Sequence, residues 1–581
     1  MAPDGTIDWY AAGGLTASSD IWRLLDDDGP ALRVGTLREQ AGARRHLPSA
    51  TVAYRPGTNV VETVAEGPGG RRLSVVDFVP WDGSGGVVRL VRALSGPVDV
   101  EVEVLAGPPR RPGGGSRAVL PSGAGLLLDG LAVAAPAPFS PAPLGRDAER
   151  WRAVLRMDAG EEAVISLGFD QPLGTDAAHR LLDDTELAWR SWLGPLSYVG
   201  PYRTAVERAL LSIRTLIGAG GAPAAAGTTS LPRRPGSERA SDDRWVRLRD
   251  VTAAVRVLAA CGLAEDAEAA ETWLRHTAST AHLPWPAWFD PDGQPVPEAE
   301  EISFRGWRGS QPVLSGRPRP RPDPGLPGAV AAVVGASMTG PGGRPDDPGP
   351  LSAAFDALAE ATDWAADHWR RPDSGAWEIE RPLRLYVAGR VSVWSALDRM
   401  ARLARAANPL DLRAASWQQE GRDVLSWLEK DAVAPDGGLR MDGAPGAPDE
   451  ADAALLSVAW RGPWPTAHPV VPATVDRVLE RLSSGPLLHR YSDRVADERA
   501  GPDHPDLEAS LLAVRALAAL GRWEEAHERM EGIIGVARQG GPGLLSETAD
   551  PVSGELYGNF PATGAALALV EAALALDAGP R

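Results

Sequence analysis

The first 170 residues alternate between apolar and polar positions with a period of two. In 98–104, four valines occupy one face and three acidic residues the other, which is typical of a half-buried strand. Many short strands separated by Gly- and Pro-rich turns predict an antiparallel β-sandwich. The further runs of this kind lie at 59–64, 72–79, 87–94, 151–157 and 162–167.

From about residue 176 the apolar period changes to 3.6. In 202–217, residues Val206, Leu210, Ile213 and Ile217 fall on one helical stripe. The helices recur in pairs broken by Gly or Pro, which predicts stacked helical hairpins, either closed into a toroid or open as a solenoid. The further stretches are 249–262, 264–280, 352–369, 391–406, 412–429, 472–483, 506–519, 523–538 and 562–577.

One segment, 311–350, interrupts the helical pattern. It is rich in Pro and Gly, and 317–324 alternates Pro with Arg or Asp. We expect a long irregular loop there.

Charge and composition exclude several classes of protein. The net charge of -18 disfavours binding to nucleic acid or to an anionic membrane. Lys430 is the only lysine, so a phosphate-binding P-loop is excluded. Cys261 is the only cysteine, which excludes an intramolecular disulfide and a Cys-based zinc site, and its apolar neighbours predict a packing role.

The sequence also lacks the signals of a cofactor, a metal site and a secretory leader. It contains no G-x-G-x-x-G and no H-E-x-x-H. Its N-terminus also lacks the basic region and the apolar region of a signal peptide. We therefore expect no cofactor, no metal and a cytoplasmic location. The oligomeric state is left open.

Tryptophan is unusually abundant, with 20 Trp against 7 Tyr and 7 Phe. An indole can fill a core or stack on a sugar ring. Several tryptophans stand beside Arg and acidic residues, at 244–250, 305–310 and 373–378. Aromatic faces flanked by carboxylates and bidentate donors suit an uncharged, polyhydroxylated ligand. Because the other catalytic motifs are missing, a pair of carboxylates remains as the candidate catalytic groups.

The motifs, taken in order, resemble the bacterial branch of glycoside hydrolase family 15, which is the glucoamylase, glucodextranase and trehalase type. The strongest match is G-L-L-S-E at 543–547, which continues to G-N-F-P at 558–561. The other matching segments are D-G-T-I-D-W at 4–9, V-V-D-F-V-P at 75–80, T-T-S-L-P at 228–232, R-W-V-R-L-R-D at 244–250, G-W-R-G-S-Q-P-V at 306–313, S-G-A-W-E-I at 374–379 and W-S-A-L-D-R at 394–399.

This resemblance implies three parts of the chain. They are an N-terminal β-sandwich over 1–172, a linker helix over 173–198 and a C-terminal (α/α)6 barrel over 199–581. The implied activity is exo-acting, inverting hydrolysis of α-glucosidic bonds in trehalose, maltose, isomaltose or short α-glucans. The implied partner is thus a disaccharide or oligosaccharide substrate.

The resemblance also assigns roles within the site. Glu378 would be the general acid and Glu547 the general base, with their carboxyl groups roughly 6.5–9.5 Å apart to admit a water molecule. Because the acid must be held protonated, we expect Glu378 to sit in a more apolar setting than Glu547. The implied substrate-binding residues are Arg249, Asp250, Trp307, Arg308 and Trp377.

Several lining positions depart from the family pattern. Ser241 and Arg247 stand where the family has Trp, and Ala562 and Ala566 stand where it has Gln and His. Three hypotheses follow: an active α-glucosidase-type hydrolase, a weakened relative that serves as a carbohydrate-binding or scaffold protein, and a barrel enzyme recruited to another reaction.

Overall fold

The structure is a computed structural model. It describes residues 5–36, 51–66, 70–107, 119–122, 125–128, 131–144, 148–169, 171–237, 240–318, 323–339, 350–379, 382–492, 503–539 and 541–579. The chain divides into two compact units. The first unit comprises 1–195 together with 301–313, and the second comprises 196–300 together with 314–581.

The first unit contains two antiparallel sheets. One has the strand order β1-β6-β11-β10 and the other β2-β3-β4-β5-β12-β9-β8-β7. The strands are β1 Ala31–Thr36, β2 Thr51–Tyr54, β3 Val61–Glu66, β4 Arg72–Phe78, β5 Val87–Ala93, β6 Val98–Gly107, β7 Val119–Ser122, β8 Gly125–Leu128, β9 Leu131–Ala134, β10 Ser140–Leu144, β11 Ala148–Met157 and β12 Glu162–Leu167.

The alternation in β6 places its valines between the sheets. Val100, Val102 and Val104 are fully or almost fully buried, and they share one apolar core with Val75 and Ile165 of the other sheet. Because side chains alternate across a strand, the acidic residues of β6 point to the opposite face. The two sheets thus enclose a common core, as expected for a β-sandwich.

A buried ion pair joins neighbouring strands in the larger sheet. Arg89 in β5 donates from Nε to Asp77 Oδ1 in β4 at 2.5 Å and from Nη2 to Oδ2 at 3.1 Å. The two residues are direct partners across the ladder. Such a pair stabilises only while both partners are present, because either charge alone would be buried unpaired.

Helix α1, Thr175–Leu193, covers the other face of this sheet. Its Ala178 and Leu182 pack with Val60, Val76 and Leu90. The helix expected as a linker over 173–198 therefore belongs to the first unit.

The second unit is largely helical. Each helix expected between 202 and 577 has a counterpart in the structure, and α3 packs on α4, α7 on α8 and α11 on α12. The helices are α2 Arg203–Leu216, α3 Leu248–Ala260, α4 Ala264–Thr280, α5 Leu326–Thr339, α6 Pro350–His368, α7 Val387–Ala407, α8 Leu412–Trp427, α9 Val458–Arg461, α10 Val470–Leu482, α11 Leu507–Ala519, α12 Trp523–Gln539 and α13 Thr563–Asp577.

Short elements border these helices. A π-helical turn spans Leu428–Ala432, and 3₁₀ turns span Trp307–Gly309 and Ala453–Ser457. The short strands are β13 Val246–Arg247, β14 Trp288–Phe289, β15 Glu300–Ile302, β16 Val313–Ser315, β17 Ser483–Ser484, β18 Leu487–Leu488, β19 Thr548–Ala549 and β20 Leu556–Tyr557.

Helix α5 corrects one expectation. The segment 311–350 was expected to be an irregular loop, but Leu326–Thr339 is helical and Val330 and Val334 are fully buried. The apolar run after the prolines packs against α7 and is a core helix. Residues 319–322 and 340–349 of the segment lie outside the described residues.

One further expectation concerns Cys261. Cys261 at the end of α3 is fully buried, which raises the pKa of its thiol to about 11 and confirms a packing role. None of the helices in the described ranges is both long and apolar enough to span a membrane.

Candidate active site

A cavity of about 230 Å³ in the second unit is lined by most of the expected site residues. Its wall is rich in charge and also carries the aromatic side chains of Trp288, Trp377 and Tyr491. The charged lining residues are Arg233, Arg247, Arg317, Arg490, Asp243, Asp250, Asp323, Asp506, Glu378, Glu508 and Glu547.

Glu378 reaches the cavity from a tight turn between α6 and α7. Its backbone is in the left-handed region, with φ of +54°, and its N–H donates to the carbonyl of Gly375 at 3.2 Å. Gly375 also has a positive φ, and a Cβ there would lie 2.9 Å from the ring of Tyr386. A non-glycine residue in this conformation is strained, and surrounding contacts must hold it there.

The carboxylate of Glu378 is held through one oxygen. The indole N–H of Trp288 donates to Oε2 at 2.7 Å, and Nη2 of Arg317 lies 3.5 Å from the same atom. The guanidinium of Arg317 also stacks 3.4 Å from the ring centroid of Trp288. Among the described residues both polar contacts use Oε2, so Oε1 is the oxygen left to meet a ligand.

Glu547 lies in the loop before β19 and is held through both oxygens. Oε2 accepts the backbone N–H of Asn559 at 2.9 Å, and Oε1 pairs with Arg233. Arg233 also donates to Oδ2 of Asp506 at 3.3 Å. Gly558 has φ of +82°, and a Cβ there would come within 2.6 Å of Glu547 Oε2, so only glycine fits beside the carboxylate.

The burial of the two glutamates is the reverse of the expectation. The side chain of Glu378 is 36% exposed, whereas that of Glu547 is 12% exposed. Burial raises the pKa of Glu547 to about 7, although the charge of Arg233 opposes the rise. The expectation that Glu378 has the more apolar setting is therefore wrong.

A chain of polar contacts connects the two glutamates. Arg317, which lies beside Glu378, donates from Nη1 to Oδ1 of Asp243 at 2.5 Å. Oδ2 of Asp243 accepts the side-chain amide of Asn559 at 2.8 Å, and the backbone N–H of Asn559 donates to Glu547. The carboxylates thus belong to one continuous network along the cavity wall.

Asp250 lies in the first turn of α3 and is 3% exposed. Arg247 approaches its Oδ1 at 3.4 Å, and Oδ2 is buried without a hydrogen-bond partner among the described residues. Burial raises the pKa of Asp250 to about 7.

The other expected binding residues are distributed differently. Trp377 lines the cavity and donates its indole N–H to Oδ1 of Asp452 at 2.7 Å. Arg249 pairs with Asp323 and lines a second cavity of the same unit. Trp307 and Arg308 belong to the first unit and line a pocket there with Asp8. The structure does not group these last two residues with the cavity that contains Glu378.

Several contacts of the two glutamates were absent from the sequence prediction, among them those of Arg233, Asp243, Asn559, Trp288 and Arg317. Arg233 directly follows the T-T-S-L-P segment, and Asn559 lies inside G-N-F-P, so both were adjacent to recognised motifs. Trp288 lies in the two-residue strand β14 and Arg317 follows β16, and no local pattern marks either residue.

Comparison with known proteins places this architecture among the glycoside hydrolases. A bacterial glucoamylase in complex with acarbose superposes with a TM-score of 0.71 at 12% identity, over 99% of this chain and 94% of the other, so the fold is shared. A family model described as glycosyl hydrolases family 15 matches residues 200–531. The protein is an O-glycosyl hydrolase, and the chain belongs to glycosyl hydrolases family 15.

Relatives of the chain carry the name trehalase. The trehalase of Mycobacterium tuberculosis is 25% identical over 98% of this chain and 86% of its own length. The trehalase of Thermoplasma volcanium is 24% identical over 99% of this chain and 91% of its own length.

Proposed function

We propose that the protein hydrolyses α-glucosidic bonds with inversion, using Glu378 as the general acid and Glu547 as the general base. The observation that carries the proposal is that both carboxylates line one cavity and are joined by the Arg317, Asp243 and Asn559 network. The trehalase names of the relatives and the acarbose-bound glucoamylase support an α-glucoside as substrate.

In the proposed reaction, Glu378 donates its proton to the glycosidic oxygen while the bond from that oxygen to C1 breaks. Glu547 removes a proton from the water molecule that attacks C1 from the opposite face, so the product is β-glucose. Exchange of protons with solvent then restores the acid and the base. A pKa of about 7 suits a general base that works near neutral pH. A higher pKa would make the carboxylate a stronger base, but less of it would then be ionised.

Asp250 is the proposed anchor for the sugar. Asp250 lines the cavity, where its carboxylate would accept a hydroxyl hydrogen, and Arg247, 3.4 Å from Oδ1, would fix its orientation. Trp377 would pack against the sugar ring from the same wall. Arg249 would act through its pair with Asp323. We also propose that the helices of the second unit close into the six hairpins of an (α/α)6 barrel.

The ion pair between Arg233 and Glu547 favours a second candidate, a weakened relative that binds carbohydrate. Arg233 offsets the charge of the Glu547 carboxylate and occupies one acceptor position of Oε1, which weakens the carboxylate as a base. This alternative predicts sugar binding without turnover.

A substrate panel tests the proposal. The purified chain is incubated with trehalose, maltose, isomaltose and a longer α-glucan, and the anomer released is followed by proton NMR. We expect β-glucose from at least one substrate. With trehalose, inversion gives β-glucose from the attacked unit and α-glucose from the leaving unit in equal amounts, so initial release of α-glucose alone would contradict inversion. Binding of glucose by calorimetry without turnover of any substrate would favour the binding-protein alternative.

A further inference from the structure

The turn that carries Glu378 contains two residues in the left-handed region. Glu378 has φ of +54° and Gly375 has φ of +68°. A glycine accepts this conformation readily, whereas a glutamate does not. If φ of Glu378 relaxed to the ordinary negative range, its Cα–Cβ bond would change direction and the carboxylate would leave the indole N–H of Trp288. The strained conformation therefore aims Glu378 into the cavity, and contacts of the surrounding chain must maintain it.

Asp373 holds the start of this turn. Its backbone pairs with that of Arg384 through two hydrogen bonds, of 2.9 Å and 3.1 Å, which bring the two ends of the loop together. Its Oδ1 accepts the N–H of Gly375 at 2.7 Å. The side chain of Asp373 is 2% exposed, so this contact is shielded from water. Asp373 thus fixes the first residues of the turn, provided that its own carboxylate is held in place.

The other carboxylate oxygen of Asp373 is held by Arg390, which lies in the first turn of α7. Arg390 is fully buried and donates from Nη1 to Oδ2 of Asp373. Its Nε donates to the carbonyl of Trp369 at 2.8 Å, and its Nη2 donates to the carbonyl of Arg371. Both carbonyls lie just beyond the end of α6. One guanidinium group therefore joins the end of α6, the start of α7 and the turn between them.

We propose that Arg390 and Asp373 are positioning residues for the general acid. Together they hold Glu378 in its strained conformation, and so aim its carboxylate at the glycosidic oxygen. Neither side chain is among the described residues that line the cavity, so both act through the turn rather than on the substrate. The inference rests on the proposed role of Glu378 and deepens it.

The leaving group of the substrate separates positioning of the acid from a general structural role. A disaccharide needs the proton of Glu378, whereas α-glucosyl fluoride does not, because fluoride departs without protonation. Arg390→Lys keeps the positive charge but loses the planar fork that joins α6 to the turn. We expect kcat/KM for the disaccharide to fall at least about tenfold, because a displaced acid is a poor proton donor. Hydrolysis of the fluoride should be largely retained.

A second variant and a matched control accompany Arg390→Lys. Asp373→Asn keeps an oxygen for the N–H of Gly375 but places an amide against Arg390, so it should show the same selective loss. The control is Arg477→Lys, which changes another buried arginine. Arg477 lies in α10 and pairs with two aspartates outside the turn. Its replacement should not distinguish the disaccharide from the fluoride.

Combination with Glu378→Gln gives a stricter criterion. If Arg390 acts only by aiming the acid, Arg390→Lys should add little to the loss of disaccharide hydrolysis that Glu378→Gln causes alone. Equal losses on the disaccharide and the fluoride, or a further loss in the double variant, would overturn the proposal. Failure of both Arg390→Lys and Asp373→Asn to fold would also overturn it, because the pair would then serve the whole unit.

Hydrogen exchange tests the turn without relying on turnover. The N–H groups of Gly375, Glu378 and Ile379 all donate within the turn. Exchange in a peptide covering 373–379 should be faster in Arg390→Lys and unchanged in Arg477→Lys. Unchanged exchange in Arg390→Lys would contradict the proposal. If exchange behaves as expected but Glu378→Gln loses hydrolysis of the disaccharide and the fluoride alike, the turn is held as proposed and the assignment of Glu378 as the acid fails instead.

Discussion

The indole N–H of Trp288 donates a hydrogen bond of 2.7 Å to Oε2 of Glu378. Trp288 lies in β14, where it pairs with Arg247 of β13, and Arg247 immediately precedes α3. The position of the Glu378 carboxylate is therefore coupled to the start of the helix that carries Asp250.

Trp288→Phe should test this coupling. The ring is retained but the donor is lost, so Glu378 should be less well positioned and kcat/KM should fall about tenfold. The pH profile of kcat/KM should also shift, which a purely structural role would not cause. Trp273→Phe is the matched control, because it removes an indole donor that binds the carbonyl of Pro291 away from the cavity. Equal behaviour of the two variants would contradict a positioning role for Trp288.

The roles of the two glutamates can be separated by the leaving group. Glu378→Gln and Glu547→Gln should each reduce hydrolysis of a disaccharide by about 10²–10⁴-fold. With α-glucosyl fluoride, whose fluoride departs without protonation, Glu378→Gln should recover much of its activity and Glu547→Gln should not. Glu360→Gln, on an exposed face of α6, is the control. Recovery by the Glu547 variant instead would reverse the assignment.

The pKa of Glu547 predicts the acid side of the pH profile. As the proposed base, Glu547 must be ionised to work, so with a pKa of about 7 activity should fall as the pH drops below 7. Arg233 favours the ionised form, and Arg233→Met should therefore raise the pKa and move this limb to higher pH. Kinetics from pH 5 to 9 measure the shift, with Arg422→Gln, which removes an exposed arginine of α8, as the control. An unmoved limb in Arg233→Met would argue against Glu547 as the titrating base.

Gly558→Ala should displace Glu547, the proposed base. The added Cβ would lie 2.6 Å from Oε2 of Glu547, so the carboxylate must move and turnover should fall by at least about tenfold. Gly485→Ala is the matched control, because it also has a positive φ, of +60°, but open space around the Cβ. Both variants carry the same kind of backbone strain. Equal turnover in the two would show that the Cβ is accommodated without moving Glu547.

In the first unit, Arg89→Met should leave Asp77 buried and unpaired. The cost is roughly 3–5 kcal/mol, and it should appear as faster hydrogen exchange in β4 and β5. Replacing both residues, as Arg89→Met with Asp77→Leu, should recover most of the protection. Unchanged exchange in the single variant would mean that water reaches the pair.

The periodic parts of the fold could be predicted from the sequence, and the contacts of the site could not. The alternation in β6 and the apolar stripe in α2 are local patterns, and in both elements the apolar positions are the buried ones. Helix α5 was missed because it is apolar on every side and follows a Pro-rich stretch, so it has no amphipathic stripe. Motifs identified Glu378 and Glu547, but Trp288 lies 90 residues from Glu378 and Arg233 lies 314 residues from Glu547. Partners so distant leave no local pattern.

Residues 301–313 determine where two related chains can be joined to make a chimaera. They belong to the first unit, where Phe304 stacks on Trp22 with ring centroids 4.4 Å apart and the N–H of Arg305 donates to Asp26. A chimaera with a single junction near residue 195 would take residues 1–195 from one parent and residues 301–313 from the other, although both segments belong to the first unit. Productive chimaeras should therefore require three junctions, near 195, 300 and 313, so that Trp22 and Phe304 are inherited from the same parent.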